Sequence, residues 1–147
     1  MHTLLFLCTG NYYRSRFAEI LFNAVVMEHG VPWQAFSRGL ALEPRNVGPM
    51  SPYAIHALNT LGIESTAVQR WPIAVQENDF QAAQRIIALQ EVEHRPYLRN
   101  RYPAWEDRVE YWHVRDLVPT PAYNPLQEIE QATRRLLTQL VASVREH

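Results

Sequence analysis

Four apolar residues, Leu4-Leu5-Phe6-Leu7, run straight into a polar, glycine-containing turn from Cys8 to Ser15. A helix-spaced apolar stripe then follows. An uninterrupted apolar run this short reads as a strand buried on both faces, the environment of a parallel sheet. The stripe comprises Phe17, Ala18, Leu21, Phe22, Val25 and Val26, one face of a helix over Phe17 to Glu28. Gly30 and Pro32 stop that helix, as a C-terminal glycine and a trailing proline do. Strand, tight turn and helix in this order open a βαβ unit, so later elements are expected to cover a parallel sheet from both sides.

The rest of the chain fits that plan. Trp33 to Ser37 reads as a second strand. Ser51-Pro52 is a helix start, an N-cap followed by proline at the first helical position, and Gly62 ends the stripe of Ala54, Ile55, Leu58 and Leu61. Arg85 to Leu89 is a third strand. Glu91 to Tyr102 is helical, with Pro96 near its first turn, and Val109 to Val114 is a fourth strand. The Pro-rich piece Pro119 to Pro125 reads as a loop. Pro125 to Glu146 carries Leu126, Ile129, Ala132, Leu136, Leu137, Leu140 and Val144 as a long amphipathic stripe. A chain of 147 residues without linker, repeat or low-complexity segment suits one domain over 1–147. The expected class is α/β, a four-stranded parallel sheet flanked by helices on both faces.

Composition narrows the function. The net charge of −1 comes from interspersed signs and does not suggest a partner in nucleic acid or a membrane surface. No stretch approaches the roughly 20 apolar residues of a membrane span, and Leu4 to Leu7 is too short for a signal core. Cys8 is the single cysteine and has no internal disulfide partner, which agrees with a reducing, cytoplasmic location.

In parallel α/β folds ligands bind at the carboxyl ends of the strands. There this chain places Cys8-Thr9-Gly10-Asn11-Tyr12-Tyr13-Arg14-Ser15. A loop running into a helix N-terminus points its N–H groups at an anion, and Gly10 and Asn11 tolerate the left-handed backbone that a tight cradle requires. Arg14 can grip two phosphate oxygens through its planar fork. These positive surroundings, with a hydroxyl from Ser15, are expected to favour the thiolate of Cys8. The commoner fate of a lone cysteine is burial at a strand end, and the loop around this one is what sets it apart.

This C-x-x-x-x-x-R-S pattern with an internal Gly-Asn, followed by Ala18-Glu19, resembles the active-site loop of the low-molecular-weight protein tyrosine phosphatases. Further likenesses are Ser37-Arg38-Gly39, Asn46-Val47-Gly48, the helix from Pro52 to Gly62 with Ile63, and Ile86 to Leu89. The resemblance implies a flavodoxin-like, phosphotyrosine phosphatase I-like fold and phosphomonoester hydrolysis through a phosphocysteine on Cys8. It implies catalytic roles for Cys8, Arg14 and Asp116, with Asp116 as general acid and base from the loop after the fourth strand. Thr9, Gly10, Asn11, Tyr12, Tyr13 and Ser15 would bind the phosphate or substrate, and Ser37 would brace the loop. Asp107 is the fallback acid, although it precedes the fourth strand. No metal or organic cofactor is implied, and the histidines show no ligand spacing. The implied substrate is a phosphorylated protein or a small phosphomonoester, and the implied assembly a monomer or weak homodimer.

Departures from the family pattern are Gln90 for an acidic residue, Arg16 and Leu117 for prolines, Tyr13 for a second loop cysteine and Arg45 for an aromatic wall. Tyr12, Tyr13 and Tyr123 are candidate replacement walls. Arg38 and Arg45, if both lie at the rim, would favour acidic substrates. These departures keep alive a rival reading, a phosphate- or oxyanion-binding regulatory module with little catalysis. A persulfide-carrying sulfurtransferase fits the loop less well. A thioredoxin-coupled arsenate reductase needs two further cysteines that this sequence lacks.

Overall fold

The computed structural model describes residues 1–145. In chain order the elements are β1 (His2–Cys8), α1 (Arg14–His29), β2 (Trp33–Gly39), α2 (Pro52–Thr60), α3 (Glu77–Ala82), β3 (Arg85–Ala88), α4 (Glu91–Arg101), β4 (Glu110–Tyr111) and α5 (Pro125–Arg145). Single 3-10 turns lie at Thr66–Val68 and Pro103–Trp105. The strands form one parallel sheet in the order β2-β1-β3-β4. This is the four-stranded α/β architecture that the alternation of patterns predicts.

The apolar run at the start explains why β1 sits in the middle. Leu4, Leu5, Phe6 and Leu7 are all completely buried, and their side chains alternate between two cores. Leu4 and Phe6 pack with α1, α2 and α5 through residues such as Phe22, Leu58 and Ile129. Leu5 and Leu7 meet Phe80 of α3 and Leu98 of α4 on the other face. Each such burial contributes about 1.5–3 kcal/mol, so no other register of β1 competes. With β2 on one side of β1 and β3 on the other, the winding reverses at β1. The loop leaving Cys8 therefore opens into the crevice at that reversal.

The caps behave as the sequence suggests. Gly30 ends α1 in the left-handed region at φ 63°, and Ser51 Oγ accepts from the Tyr53 N–H at 3.1 Å to start α2. Other expectations need correction. Helix α3 was not anticipated, because six residues are too few to display a period; a Gln76–Asp79 capping box and the buried Phe80 hold it. The fourth strand is only Glu110–Tyr111, since its partner β3 ends at Ala88. Beyond it the backbone still bonds the sheet, Trp112 N–H to Ala88 O at 2.9 Å and Val114 N–H to Leu89 O at 2.8 Å. Pro96 lies inside α4 instead of its first turn, where it forgoes the bond to the carbonyl of Val92. The expected end of the last helix, Glu146, lies outside the described residues. Among those residues no helix is long and apolar enough to cross a membrane.

Candidate active site

Cys8 ends β1 and is buried, with its Sγ 2.9 Å from Ser15 Oγ on the second residue of α1. Asn11 Nδ2 donates to that same Ser15 Oγ at 2.9 Å and to Ser37 Oγ at 2.9 Å. The Ser15 hydroxyl hydrogen is therefore available to the sulfur whenever Cys8 is a thiolate. Ser37 in turn donates to Glu19 Oε1 at 2.5 Å.

Among the described residues Asn11 is the one non-glycine residue in the left-handed region, at φ 51°. Its carbonyl oxygen accepts from Arg70 Nη1 at 3.0 Å and from the Ile73 N–H at 3.1 Å. Every hydrogen-bonding position of its amide is thus filled, which fixes the strained backbone of the loop. Arg70 also donates to the Ser37 carbonyl at 2.9 Å and pairs with Glu19 at 3.3 Å. Gly39 backs the arrangement. A Cβ there would stand 2.8 Å from the Thr9 carbonyl oxygen and 3.1 Å from Asn11 Cβ. Ser37, Asn11, Ser15 and Arg70 are thus joined in one hydrogen-bonded network behind the loop.

Arg14, the first residue of α1, is only 2% exposed. It donates from Nη1 to the Val114 carbonyl at 2.9 Å and from Nη2 to Glu93 Oε2 at 2.7 Å. Its Nε lies 3.7 Å from Asp116 Oδ1. Burial works against its charge, but Cys8, Glu93 and Asp116 outweigh burial and push the pKa up. Burial likewise opposes the charge on Glu93, yet hydrogen bonds from His94, Arg14 and Thr9 hold its carboxyl well below the usual carboxylate range. His94 is pushed down by burial, and Glu93 only partly offsets this.

These groups meet at a cavity of about 330 Å³. Cys8, Thr9, Gly10, Tyr12, Tyr13, Arg14 and Asp116 line it together with Tyr53, Glu43, Asn46 and Leu117. Asn11 and Ser15 stand behind it as supports. The Tyr13 hydroxyl donates to the Leu117 carbonyl at 3.0 Å, tying the wall to the loop that carries Asp116. Burial and the neighbouring Asp116 raise the Tyr13 pKa, so the phenol keeps its proton.

Two expectations fail here. Tyr123 is not a wall; its ring lies under the Arg115 guanidinium, and its hydroxyl accepts from the Arg115 N–H at 3.0 Å. Tyr53 takes the place instead. Arg38 and Arg45 do not line the rim. Arg38 pairs with Asp79 at 3.3 Å, and Arg45 turns back onto Glu43, two residues away. The rim therefore carries Glu43, not two free arginines. Asp107 pairs with Arg95 at 3.1 Å and lies before β4, at the end of the sheet away from Cys8.

Sequence reasoning also missed Glu93, His94, Arg70 and Tyr53. Glu93 and His94 had one available signal, their place in the helix that follows the third strand, at the ligand-binding end of the sheet. Arg70 had none. Among the described residues no group of three His, Cys, Asp or Glu side chains is arranged to hold a metal ion.

The family model described as low molecular weight phosphotyrosine protein phosphatase matches residues 3–146. The chain belongs to this family. It is a phosphatase, and solved structures carry the same fold. The low molecular weight protein tyrosine phosphatase from T. tengcongensis is 27% identical, with TM-score 0.66 and 99% of each chain covered. YfkJ from Bacillus subtilis is 26% identical with TM-score 0.72, over 99% of this chain and 96% of that one. The low molecular weight protein tyrosine phosphatase SP-PTP from Streptococcus pyogenes, at 20% identity and TM-score 0.74, covers 95% and 93% and speaks for the fold alone. No curated relative matches the chain.

Proposed function

We propose that this phosphatase hydrolyses aryl phosphomonoesters, phosphotyrosine in proteins foremost, through a phosphocysteine on Cys8. The observation that carries this reading is a single thiol in a cavity where Arg14 and Asp116 come within 3.7 Å of each other. The Cys8 thiolate attacks phosphorus, the bond from phosphorus to the leaving oxygen breaks, and Asp116 gives that oxygen its proton. A water then attacks the thiophosphate while the Asp116 carboxylate takes a proton from it. The sulfur–phosphorus bond breaks, returning the thiolate and releasing inorganic phosphate. Arg14 and the loop N–H groups face the charge that develops on the equatorial oxygens. Tyr12, Tyr13 and Tyr53 supply flat walls suited to an aromatic ring. A reducing, cytoplasmic setting suits an enzyme whose only cysteine is its nucleophile, and nothing in the mechanism calls for a second subunit.

The test is p-nitrophenyl phosphate hydrolysis between about pH 4 and 8 under reducing conditions. Cys8→Ser is expected to lower turnover by about 10⁴-fold or more. Asp116→Asn should lower kcat by about 10²–10⁴-fold without unfolding the protein. Turnover that survives Cys8→Ser would refute the mechanism. Binding of phosphate without any turnover in the wild type would favour an oxyanion-binding regulatory module.

A further inference from the structure

Arg14 presents five N–H groups in one plane, and the value of that fork to a phosphoryl group depends on where the plane points. Two acceptors from different elements fix it. One is the Val114 carbonyl on Nη1, from the segment after β4; the other is Glu93 Oε2 on Nη2, from the first turn of α4. They leave Nε–H and one hydrogen on each terminal nitrogen for an oxyanion.

Glu93 is itself held. The Thr9 hydroxyl donates to the same Oε2, and His94 Nε2 lies 3.2 Å from that oxygen and 3.1 Å from Thr9 Oγ1. The main-chain N–H of Gln90 donates to His94 Nδ1 at 3.0 Å, so Nδ1 carries no proton and the ring hydrogen sits on Nε2. The histidine is completely buried and acts as a fixed donor. A single carboxylate oxygen therefore faces three donors, from the loop, from α1 and from α4. An ordinary surface ion pair has no such enclosure, and this carboxylate is only 26% exposed.

We propose that Glu93, seated by Thr9 and His94, is a positioning residue that sets the plane of the Arg14 guanidinium for the phosphoryl group. This rests on the hydrolysis proposed above and adds to it a residue outside the loop. A carboxylate on a phosphate-binding arginine has an opposite possible role, competing with the phosphate for the same hydrogens. The two roles predict opposite changes, because removing a competitor tightens anion binding and removing a support loosens it.

The experiment measures KM and kcat for p-nitrophenyl phosphate, the Kd for inorganic phosphate by calorimetry and Tm. It uses the full chain and its Glu93→Ala, Glu93→Gln, Thr9→Val and Thr9→Ser variants. Glu93→Ala should raise KM and the phosphate Kd together and lower kcat/KM by roughly 10–10²-fold, the scale of a misplaced catalytic group. Glu93→Gln keeps an acceptor for Arg14 and should recover most of the loss. Thr9→Val should move the same quantities by less, and Thr9→Ser should restore them. Unchanged or tighter phosphate binding in Glu93→Ala would overturn the proposal, as would a Glu93→Gln variant as impaired as Glu93→Ala. Because phosphate binding is read separately, a wild type that binds but does not turn over counts against the hydrolysis alone.

Discussion

Behind Cys8, Asn11 engages both amide hydrogens and both carbonyl lone pairs with protein partners, whereas in front of it Asp116 leaves its side chain 61% exposed. The rear support is a buried network running from Arg70 through Asn11 to Ser15, Ser37 and Glu19. The front is an arm over residues 115–124, pinned by Arg14 at the Val114 carbonyl and by the Tyr13 hydroxyl at the Leu117 carbonyl. Leu117 and Val118 are exposed between those anchors and the next helix. The difference suits the roles proposed above for the two sides, an anion cradle behind and a proton donor in front. An anion cradle works by dipoles already in place, so it gains from rigidity. A proton donor that changes roles between two steps, and past which product leaves, gains from freedom.

Attacking the rear should have the largest consequence. In Asn11→Ala, the Ile73 N–H, Arg70, Ser15 and Ser37 lose partners, and an alanine must hold φ 51°, where L-residues are strained. A loss of about 3 kcal/mol is expected, which at this chain length lowers Tm by about 10 °C. The kcat/KM should fall at least about 10-fold, because the cradle loses its shape. Asn11→Gly separates the two causes, since it relieves the backbone and not the bonds, and should recover only about 1 kcal/mol. Calorimetric unfolding beside p-nitrophenyl phosphate kinetics reads both. A destabilisation below about 1 kcal/mol for Asn11→Ala would mean that the network is not what holds the rear.

The next test moves one step further back. Arg16 is completely buried and donates to the carbonyls of Pro49, Arg70 and Val68, at 3.2, 2.7 and 3.2 Å. Burial, with the nearby Arg70, lowers its pKa to about 10, so it remains charged at neutral pH. Exchanging a buried charge for an apolar side chain is often neutral or stabilising. Here it would strand three carbonyls and free the segment from which Arg70 reaches Asn11. Arg16→Met should therefore cost about 2 kcal/mol and lower kcat/KM a few-fold, with the shape of the pH profile unchanged because the front is untouched. A variant as stable as the wild type would remove Arg16 from the support.

The same division marks what the sequence could reveal. The strand, turn and helix around Cys8 were legible because each is a local pattern; Asp116 was singled out through the resemblance, and its place after the fourth strand brings it to the cavity. Glu93 and His94 showed only their place in the helix after the third strand, and Arg70 showed nothing. They act across 79, 85 and 59 positions, on Arg14, Thr9 and Asn11 respectively, and no spacing in a single sequence encodes such reach. Arg16 was illegible for another reason, since a charged residue on a helix is ordinarily exposed. The rim arginines misled because Asp79 and Glu43 were near enough to claim them.

The smallest effect should come from the front, where one hydrogen bond joins wall to arm. Tyr13→Phe removes the donor to the Leu117 carbonyl and keeps the ring, and at a partly exposed site the stability cost should stay near 0.5–1 kcal/mol, about one ordinary hydrogen bond. Chemistry supplies the sharper readout. Loosening the acid arm matters only in proportion to how badly the leaving oxygen needs a proton. Phenyl phosphate, whose leaving group is as basic as a tyrosine side chain, should lose kcat several-fold more than p-nitrophenyl phosphate, whose leaving group departs readily without help. If both substrates slow equally, the Tyr13 hydroxyl supports the pocket as a whole and not the arm. The contrast between a fixed rear and a tethered front would then have to rest on Arg14 and Val114 alone.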